Sequence, residues 1–424
     1  MPARKGFPLR KAFDPRWQEA TLERALSGAS ASVRAMLESV LGGAELGFEE
    51  GIALTAVDGA DLLALVKTAD ELRRRAIGDT ITYVVNRNLN FTNVCIVGCA
   101  FCGFSRKPGD ADAYFHSHES LIARAREAQE RGATEVCIQG GLPRELDGYY
   151  YRDLLRAIKA ELPEMHVHAF SPMEIAYGIE KTRLPMREYL LALKESGLGS
   201  IPGTAAEILD DSVRRHLSPN KLKVRQWVEI VKMAHALGIP TTSTMMYGHT
   251  EQPEHWVRHM ILLRDIQKET HGFTEFVPLA FIHSQTRLYQ SGAARAGSTL
   301  REDLIVHALA RLLFHRWIPN IQVSWVKLGF EGSLACLQAG ANDFSGTLME
   351  ESISKAAGAA FGECVWPGEF RAMIRSIGRI PAERTTTYRI RQTFSRDLPG
   401  ECGIPARLQL LTAAAHSPVT ETSY

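Results

Sequence analysis

Leu121–Gly141 reads LIARAREAQERGATEVCIQGG. Its first half spaces apolar residues three and four apart among charged ones, which is the pattern of an amphipathic helix. Gly132 follows the last periodic residue, where a left-handed cap is wanted. Thr134–Gly141 is then a short, β-branched apolar run that ends in two glycines. Helix, glycine stop, strand and glycine turn make one α/β unit, and the same texture recurs on both sides of it. Runs with strand character are LNFTNV (89–94), MHVHAFS (165–171), GSIPGT (199–204), PTTSTMMYG (240–248), FTEFVPL (273–279), IQVSWVKLG (321–329) and GANDFSG (340–346). Helical patterns such as YRDLLRAIKAEL (151–162), VRQWVEIVKMAHALG (224–238) and LIVHALARLLFHRW (304–317) separate them. Strand and helix in alternation predict a parallel sheet with helices outside. Eight such runs predict an α/β fold of the (β/α)8 TIM-barrel type. Residues 1–80 read as an N-terminal helical cap, 81–345 as the barrel and 346–390 as a short C-terminal helical extension. The polar stretch 391–424, punctuated by proline and glycine, reads as a partly disordered tail.

Composition narrows the function classes. The 424 residues suffice for a barrel of about 250 with additions at both ends. Lysine and arginine total 49 against 48 aspartates and glutamates, so no nucleic-acid or anionic-membrane footprint is expected. No apolar run approaches the roughly 18 residues of a membrane span, and the basic N-terminus lacks the apolar region of a signal peptide. Seven cysteines, three clustered and four scattered, do not make a disulfide framework, so a reducing cytoplasm is the expected setting.

The clustered three are Cys95, Cys99 and Cys102, in a C-x-x-x-C-x-x-C loop after the first predicted strand. One reading is a structural zinc site completed by His116 or His118, although structural zinc usually draws its ligands from two knuckles. The other is a [4Fe–4S] cluster with three protein ligands and one open iron, where a small molecule can bind. Strand C-terminal ends are where barrels carry chemistry, and the loop sits at one.

The spacing, with Phe101 before the last cysteine, resembles the radical S-adenosylmethionine signature. With NFTNVCIVGCAFCGFSR, EVCIQGGL, MHVHAFSPMEI, GLGSIPGTAAEILDD, PTTSTMMYGHTE, GFTEFVPLAFIH, NIQVSWVKLG and AGANDFSGTLMEESIS, residues 70–390 resemble the family of the second subunit of FO synthase. The radical enzymes of the futalosine menaquinone pathway, aminofutalosine synthase and dehypoxanthine futalosine cyclase, share much of this pattern and stand as the alternative. The resemblance implies one [4Fe–4S] cluster on Cys95, Cys99 and Cys102, with S-adenosyl-L-methionine chelating the open iron. It implies L-tyrosine and 5-amino-6-(D-ribitylamino)uracil as substrates, and transfer of a 4-hydroxybenzyl group between them. It further implies FO synthase subunit 1 as functional partner and a reductant such as ferredoxin or flavodoxin. A zinc barrel hydrolase and a non-enzymatic iron–sulfur electron carrier are rivals of other classes.

The remaining motifs have local as well as functional readings. Gln139, Gly140 and Gly141 end a strand where, by resemblance, the methionine end of the cofactor lies; only glycine lets backbone approach a ligand so closely. Leu142 stands where the superfamily usually has glutamate. His166 and His168 alternate onto one strand face and are expected in the lumen, as substrate or cofactor contacts, as a hydrogen-bonded structural pair or as ligands of a second metal. Ser171–Glu174 and Thr204–Glu207 both match the capping box, so Glu174 and Glu207 have structural reasons to exist besides contact with a substrate or cofactor. The helix N-termini they would cap are suited to receive a carboxylate.

Overall fold

The apolar spacing of residues 22–77 resolves into four helices, Leu22–Gly28, Ala31–Leu41, Phe48–Thr55 and Gly59–Ile77, in a computed structural model that describes residues 19–395. Thr21 caps the first by accepting a hydrogen bond from the Arg24 N–H. The longest ends at Gly78, at φ +70°, and buries Leu62, Leu65, Ala69 and Leu72. That face packs on helix Leu300–Leu313, so the N-terminal helices share the core of the rest of the chain.

Nine strands follow among the described residues: β1 Thr80–Val84, β2 Asn86–Leu89, β3 Glu135–Ile138, β4 His166–Ala169, β5 Thr241–Tyr247, β6 Phe273–Ala280, β7 Asp343–Gly346, β8 Ile380–Arg384 and β9 Ile390–Thr393. They form three sheets, ordered β7-β1-β8-β9, β2-β3-β4 and β5-β6. Every pairing is parallel except that of β8 with β9. Single parallel bridges join the sheet edges: His168 to Ser200, Ile201 to Thr241, Phe276 to Ile321 and Gln322 to Asp343. The connections carry helices, among them His118–Glu130, Tyr150–Glu161, Val224–Ala236 and Pro253–Thr270. Gly132 and Gly238 cap two of these with φ of +90° and +69°, as their positions in the sequence predict.

Four local expectations are corrected. Gly199–Thr204 and Ile321–Gly329 contribute only two bridged residues each, and Trp325 already begins a helix. Thr80–Val84 is a strand, at the boundary assigned to the helical cap. After residue 345 there are helices, Ser352–Ala356 and Pro367–Ser376, but also the β8–β9 hairpin. Charged residues and Pro381 mask β8 in the sequence, because its buried Arg384 points into a polar interior rather than an apolar one. Residues 391–393 are therefore ordered in β9, and the rest of the predicted tail, 396–424, lies outside the described residues. Last, Thr204–Glu207 opens no helix. Ala205 and Glu207 have φ of +61° and +40°, and the next helix, Asp211–Leu217, is capped by Asp210.

Candidate active site

The loop after β2 is stitched to itself and to its surroundings. Cys95 N–H donates to the Arg106 carbonyl at 3.0 Å, and Arg106 N–H returns to Asn93 at 2.8 Å. The Arg106 guanidinium reaches the carbonyls of Gly103, Phe104 and Ser105 and pairs with Asp112. Ala100 N–H donates to Leu217 at 2.8 Å, and Ile96 N–H to Leu142 at 3.0 Å. So fixed, Cys95, Cys99 and Cys102 line one wall of a cavity of about 360 Å³ at the C-terminal ends of the parallel strands.

Gln139, Gly140, Gly141, Glu174, Thr204 and Glu207 line the same cavity. Gln139 Oε1 accepts from Thr204 Oγ1 at 2.9 Å, which ties the turn after β3 to the loop before Asp211. That loop holds its left-handed residues because Arg214, buried, donates to the carbonyls of Ala205, Ala206 and Leu222. Glu207 accepts from Lys221 Nζ at 2.6 Å and lies 3.3 Å from Arg214. Lys221 stands over the Phe101 ring, with its Nζ 5.2 Å from the centroid. Its charge also faces Cys99: burial pushes that thiol up to about 12, and the ammonium pulls it back.

The Ser171–Glu174 capping box forms as expected. Glu174 accepts from Ser171 N–H and Oγ, both at 2.7 Å, and from Gly140 N–H at 3.0 Å. Burial pushes its carboxyl up to about 7 against the pull of those donors. The helix N-terminus is thus filled by its own glutamate, not left open for a ligand. The two glycines also differ from expectation. A Cβ on Gly140 would lie 2.5 Å from the Phe91 ring, and one on Gly141 would lie 2.1 Å from the Val94 carbonyl oxygen. Close approach is required here by the protein itself, before any cofactor.

His166 and His168 do not line the cavity. Both rings bond Ser200 Oγ at 2.7 Å, and burial pulls His168 down to about 4. His116 and His118 are also elsewhere, against Tyr114 and Tyr150. Neither therefore stands as a fourth zinc ligand. Lining residues that sequence reasoning missed are Lys221, Lys327, Glu351, Asn88 and Asn90. The asparagines left a readable signal, Asn86, Asn88 and Asn90 recurring every second residue along β2 and just past its end. Lys221, in a turn-like SPNKLK stretch, left none.

Comparison with known proteins fits this geometry. Residues 89–263 match the radical SAM superfamily, and residues 270–396 match the CofH/MqnC C-terminal region. The chain is 53% identical over 341 residues to the 5-amino-6-(D-ribitylamino)uracil–L-tyrosine 4-hydroxyphenyl transferase of Methanothermobacter thermautotrophicus, covering 80% of this chain and 93% of that protein. It is 52% identical to the transferase of the same name from Methanocaldococcus jannaschii, covering 78% and 94%. The chain is a radical SAM enzyme of this transferase family. It is also 54% identical to FO synthase of Mycobacterium leprae over 81% of this chain, and spans 40% of that longer protein. Among solved structures it resembles the FeFe-hydrogenase maturase HydG from Carboxydothermus hydrogenoformans, with TM-score 0.67, 16% identity and coverage of 88% and 84%. Methylornithine synthase PylB gives TM-score 0.64, 19% identity and coverage of 82% and 97%. These two show the fold alone, a TIM-like (β/α)8 arrangement.

A radical SAM enzyme uses a [4Fe–4S] cluster and S-adenosylmethionine, and the donor set fits both. Three thiols share one wall with a lysine to balance thiolate charge, and the glycine turn after β3 adjoins them.

Proposed function

We propose that the chain joins the 4-hydroxybenzyl group of L-tyrosine to 5-amino-6-(D-ribitylamino)uracil, releasing 2-iminoacetate, methionine and 5′-deoxyadenosine. The observation that carries this reading is identity above 50% along more than nine-tenths of two transferases named for that reaction. It also disfavours the menaquinone-pathway alternative. When bound, the cluster and S-adenosylmethionine supply the electron and the deoxyadenosyl group that abstracts hydrogen from tyrosine. Cys95, Cys99 and Cys102 hold the cluster. Gln139, Gly140, Gly141, Thr204 and Glu207 form the wall that receives the cofactor, with Lys221 and Arg214 keeping Glu207 in place. Glu174 fixes Gly140 within that wall. His166 and His168 hold Ser200 beside β4 as part of the scaffold and take no place in that wall. Apolar lining from Val97, Phe101, Met173, Met246 and Phe281 excludes water from a reaction that any stray hydrogen donor would quench.

The bridges at Ser200, Ile201, Ile321 and Gln322 support a barrel closed by eight parallel segments, with the described helices of residues 22–77 as its cap and the helices and hairpin after residue 346 as its extension. Among the described residues no helix is long and apolar enough to cross a membrane, and the cytoplasm suits the free cysteines. The product would pass to FO synthase subunit 1 for ring closure, with ferredoxin or flavodoxin as reductant. The test is anaerobic turnover with tyrosine and the ribityl uracil, followed by mass spectrometry. Tyrosine-dependent 5′-deoxyadenosine and a 4-hydroxybenzyl–uracil adduct are expected. Turnover of a menaquinone precursor without that adduct, or stoichiometric zinc in place of iron, would overturn the reading.

A further inference from the structure

The cavity wall carries two lysines, and only one is matched by a carboxylate. Lys221 pairs with Glu207 at 2.6 Å. Lys327, in the helix that follows the bridged residues Ile321 and Gln322, has no carboxylate within ion-pair distance among the described residues. Its side-chain partner is Ser354 Oγ, at 3.2 Å. Glu351 is the acid whose field it feels, and Glu351 is already engaged. One oxygen accepts from Asn88 Nδ2 at 2.8 Å, and the other from Ser354 N–H at 2.7 Å, capping helix Ser352–Ala356. Burial pulls the Lys327 ammonium below its ordinary value, with Glu351 opposing. A desolvated cation facing a cavity gains most from an anion that arrives with the ligand.

The topology says which ligand. Lys327 and Glu351 follow Gln322 and β7, and β7 pairs with β1, which runs on into β2. The Gln139–Gly141 turn lies on the other side of β2, at the end of β3, and the Glu207 loop lies further round, beyond β4. The anion at Lys327 is therefore separate from the wall assigned to the cofactor. Of the two proposed substrates, only the amino acid carries a carboxylate; the ribityl uracil has no anionic group at neutral pH.

Resting on the tyrosine reading above, we propose that Lys327 anchors the α-carboxylate of the amino-acid substrate, with Ser354 and Glu351 as positioning residues that hold its ammonium towards the cavity. The anchor would fix the Cα end of tyrosine and leave its phenol ring to the apolar lining.

The test compares L-tyrosine with tyramine, which lacks only the carboxylate, on reconstituted holoenzyme. Wild-type enzyme should bind tyrosine at least about tenfold more tightly than it binds tyramine as a competitive inhibitor. Lys327→Met keeps the aliphatic stem and should raise the KM for tyrosine at least about tenfold. The tyramine inhibition constant, the KM values for S-adenosylmethionine and the uracil, and the iron content should stay within about twofold of wild type. Lys327→Arg should restore part of the loss. Equal wild-type affinity for tyrosine and tyramine would overturn the proposal without any variant. So would a Lys327→Met effect that falls equally on both ligands, or on S-adenosylmethionine or the uracil instead. Wild-type enzyme with no tyrosine-dependent adduct would refute the proposed function, and with it the anchor. A normal adduct with unchanged tyrosine discrimination in Lys327→Met would refute the anchor alone.

Discussion

Gly141→Ala adds one methyl group at the point where the turn after β3 meets the cysteine loop. The new Cβ would lie 2.1 Å from the Val94 carbonyl oxygen, 2.7 Å from its carbon and 3.1 Å from the Cys95 Cβ. Ordinary contact begins near 3.4 Å, so the backbone beside Cys95 and the turn must separate by about 1.3 Å. Two hydrogen bonds resist that movement, Gly141 N–H to Thr92 and Ile96 N–H to Leu142, at 2.8 and 3.0 Å. Because backbone meets backbone, no rotamer change relieves the clash. Overpacking of this kind costs about 1–3 kcal/mol. Displacing a reacting group by about 1 Å costs about a hundredfold in rate. The expected variant folds with a lowered melting temperature, binds substoichiometric iron after anaerobic reconstitution, and loses about two orders of magnitude in kcat/KM. Gly28→Ala is the control, since nothing lies within 4 Å of its added methyl, and it should be neutral or slightly stabilising. Wild-type iron content, melting temperature and activity in Gly141→Ala would refute the claim that this contact sets the position of the cysteine loop.

Other perturbations separate scaffold from chemistry. Gly140→Val should unfold at lower temperature rather than merely lose cofactor affinity, because its Cβ meets the buried Phe91 ring at 2.5 Å; an undisturbed thermal transition would contradict this. Arg214→Lys should cost about 2–4 kcal/mol and raise the KM for S-adenosylmethionine, since one ammonium cannot serve the carbonyls of Ala205, Ala206 and Leu222 together. Denaturant unfolding and cofactor titration check it, and retention of both values would count against the clamp. Glu251→Gln tests a buried carboxylate that burial alone would raise, but that the His249 ring and the N–H groups of Gly248 and His249 hold far below its ordinary 4.5. A depressed native value stabilises fully above about pH 4.5 and is lost as the pH falls towards it, so the deficit of Glu251→Gln should be widest above pH 4.5 and close below it. A deficit independent of pH would refute the assignment.

Periodicity is most legible where a segment buries one chemical type. The outer helices and the apolar strands β3 and β6 were readable for that reason. β8 was not, because Arg384 enters a polar interior where Asp343 accepts two of its three hydrogen bonds, so its strand shows charge where apolar alternation is expected. Thr204–Glu207 matches a capping box in letters. The carbonyls a helix would use there are taken by Arg214, ten residues beyond Thr204, a contact no local window contains. The cysteine loop was legible because ligand spacing is local chemistry. Lys221 and Lys327 were not, because a lysine declares a site only through what it faces across the fold.

The histidine pair shows how position along a strand decides what a lumen residue does. His166 and His168 face inward together, as period two requires, and share Ser200. Yet His166 is the first residue of β4 and pairs in register with Glu135, the first residue of β3. That is the N-terminal end of the parallel strands, where the polar interior is consumed by its own partners. Glu135 accepts from Asn86 at 2.9 Å, Glu275 from Gln322 at 2.9 Å and from the Tyr388 hydroxyl, and Asp343 from Arg384. Arg384 and Tyr388 come from the β8–β9 hairpin and its turn, and close this end with a guanidinium 4.0 Å from the tyrosine ring. Removing any one charge there strands another in a desolvated place, which makes the cluster a structural plug. At the opposite end the same strands finish in groups with capacity to spare: three thiols and a lysine without a carboxylate. Inward-facing polarity alone does not identify an active site in such a barrel; polarity left unsatisfied at the C-terminal ends of the strands does.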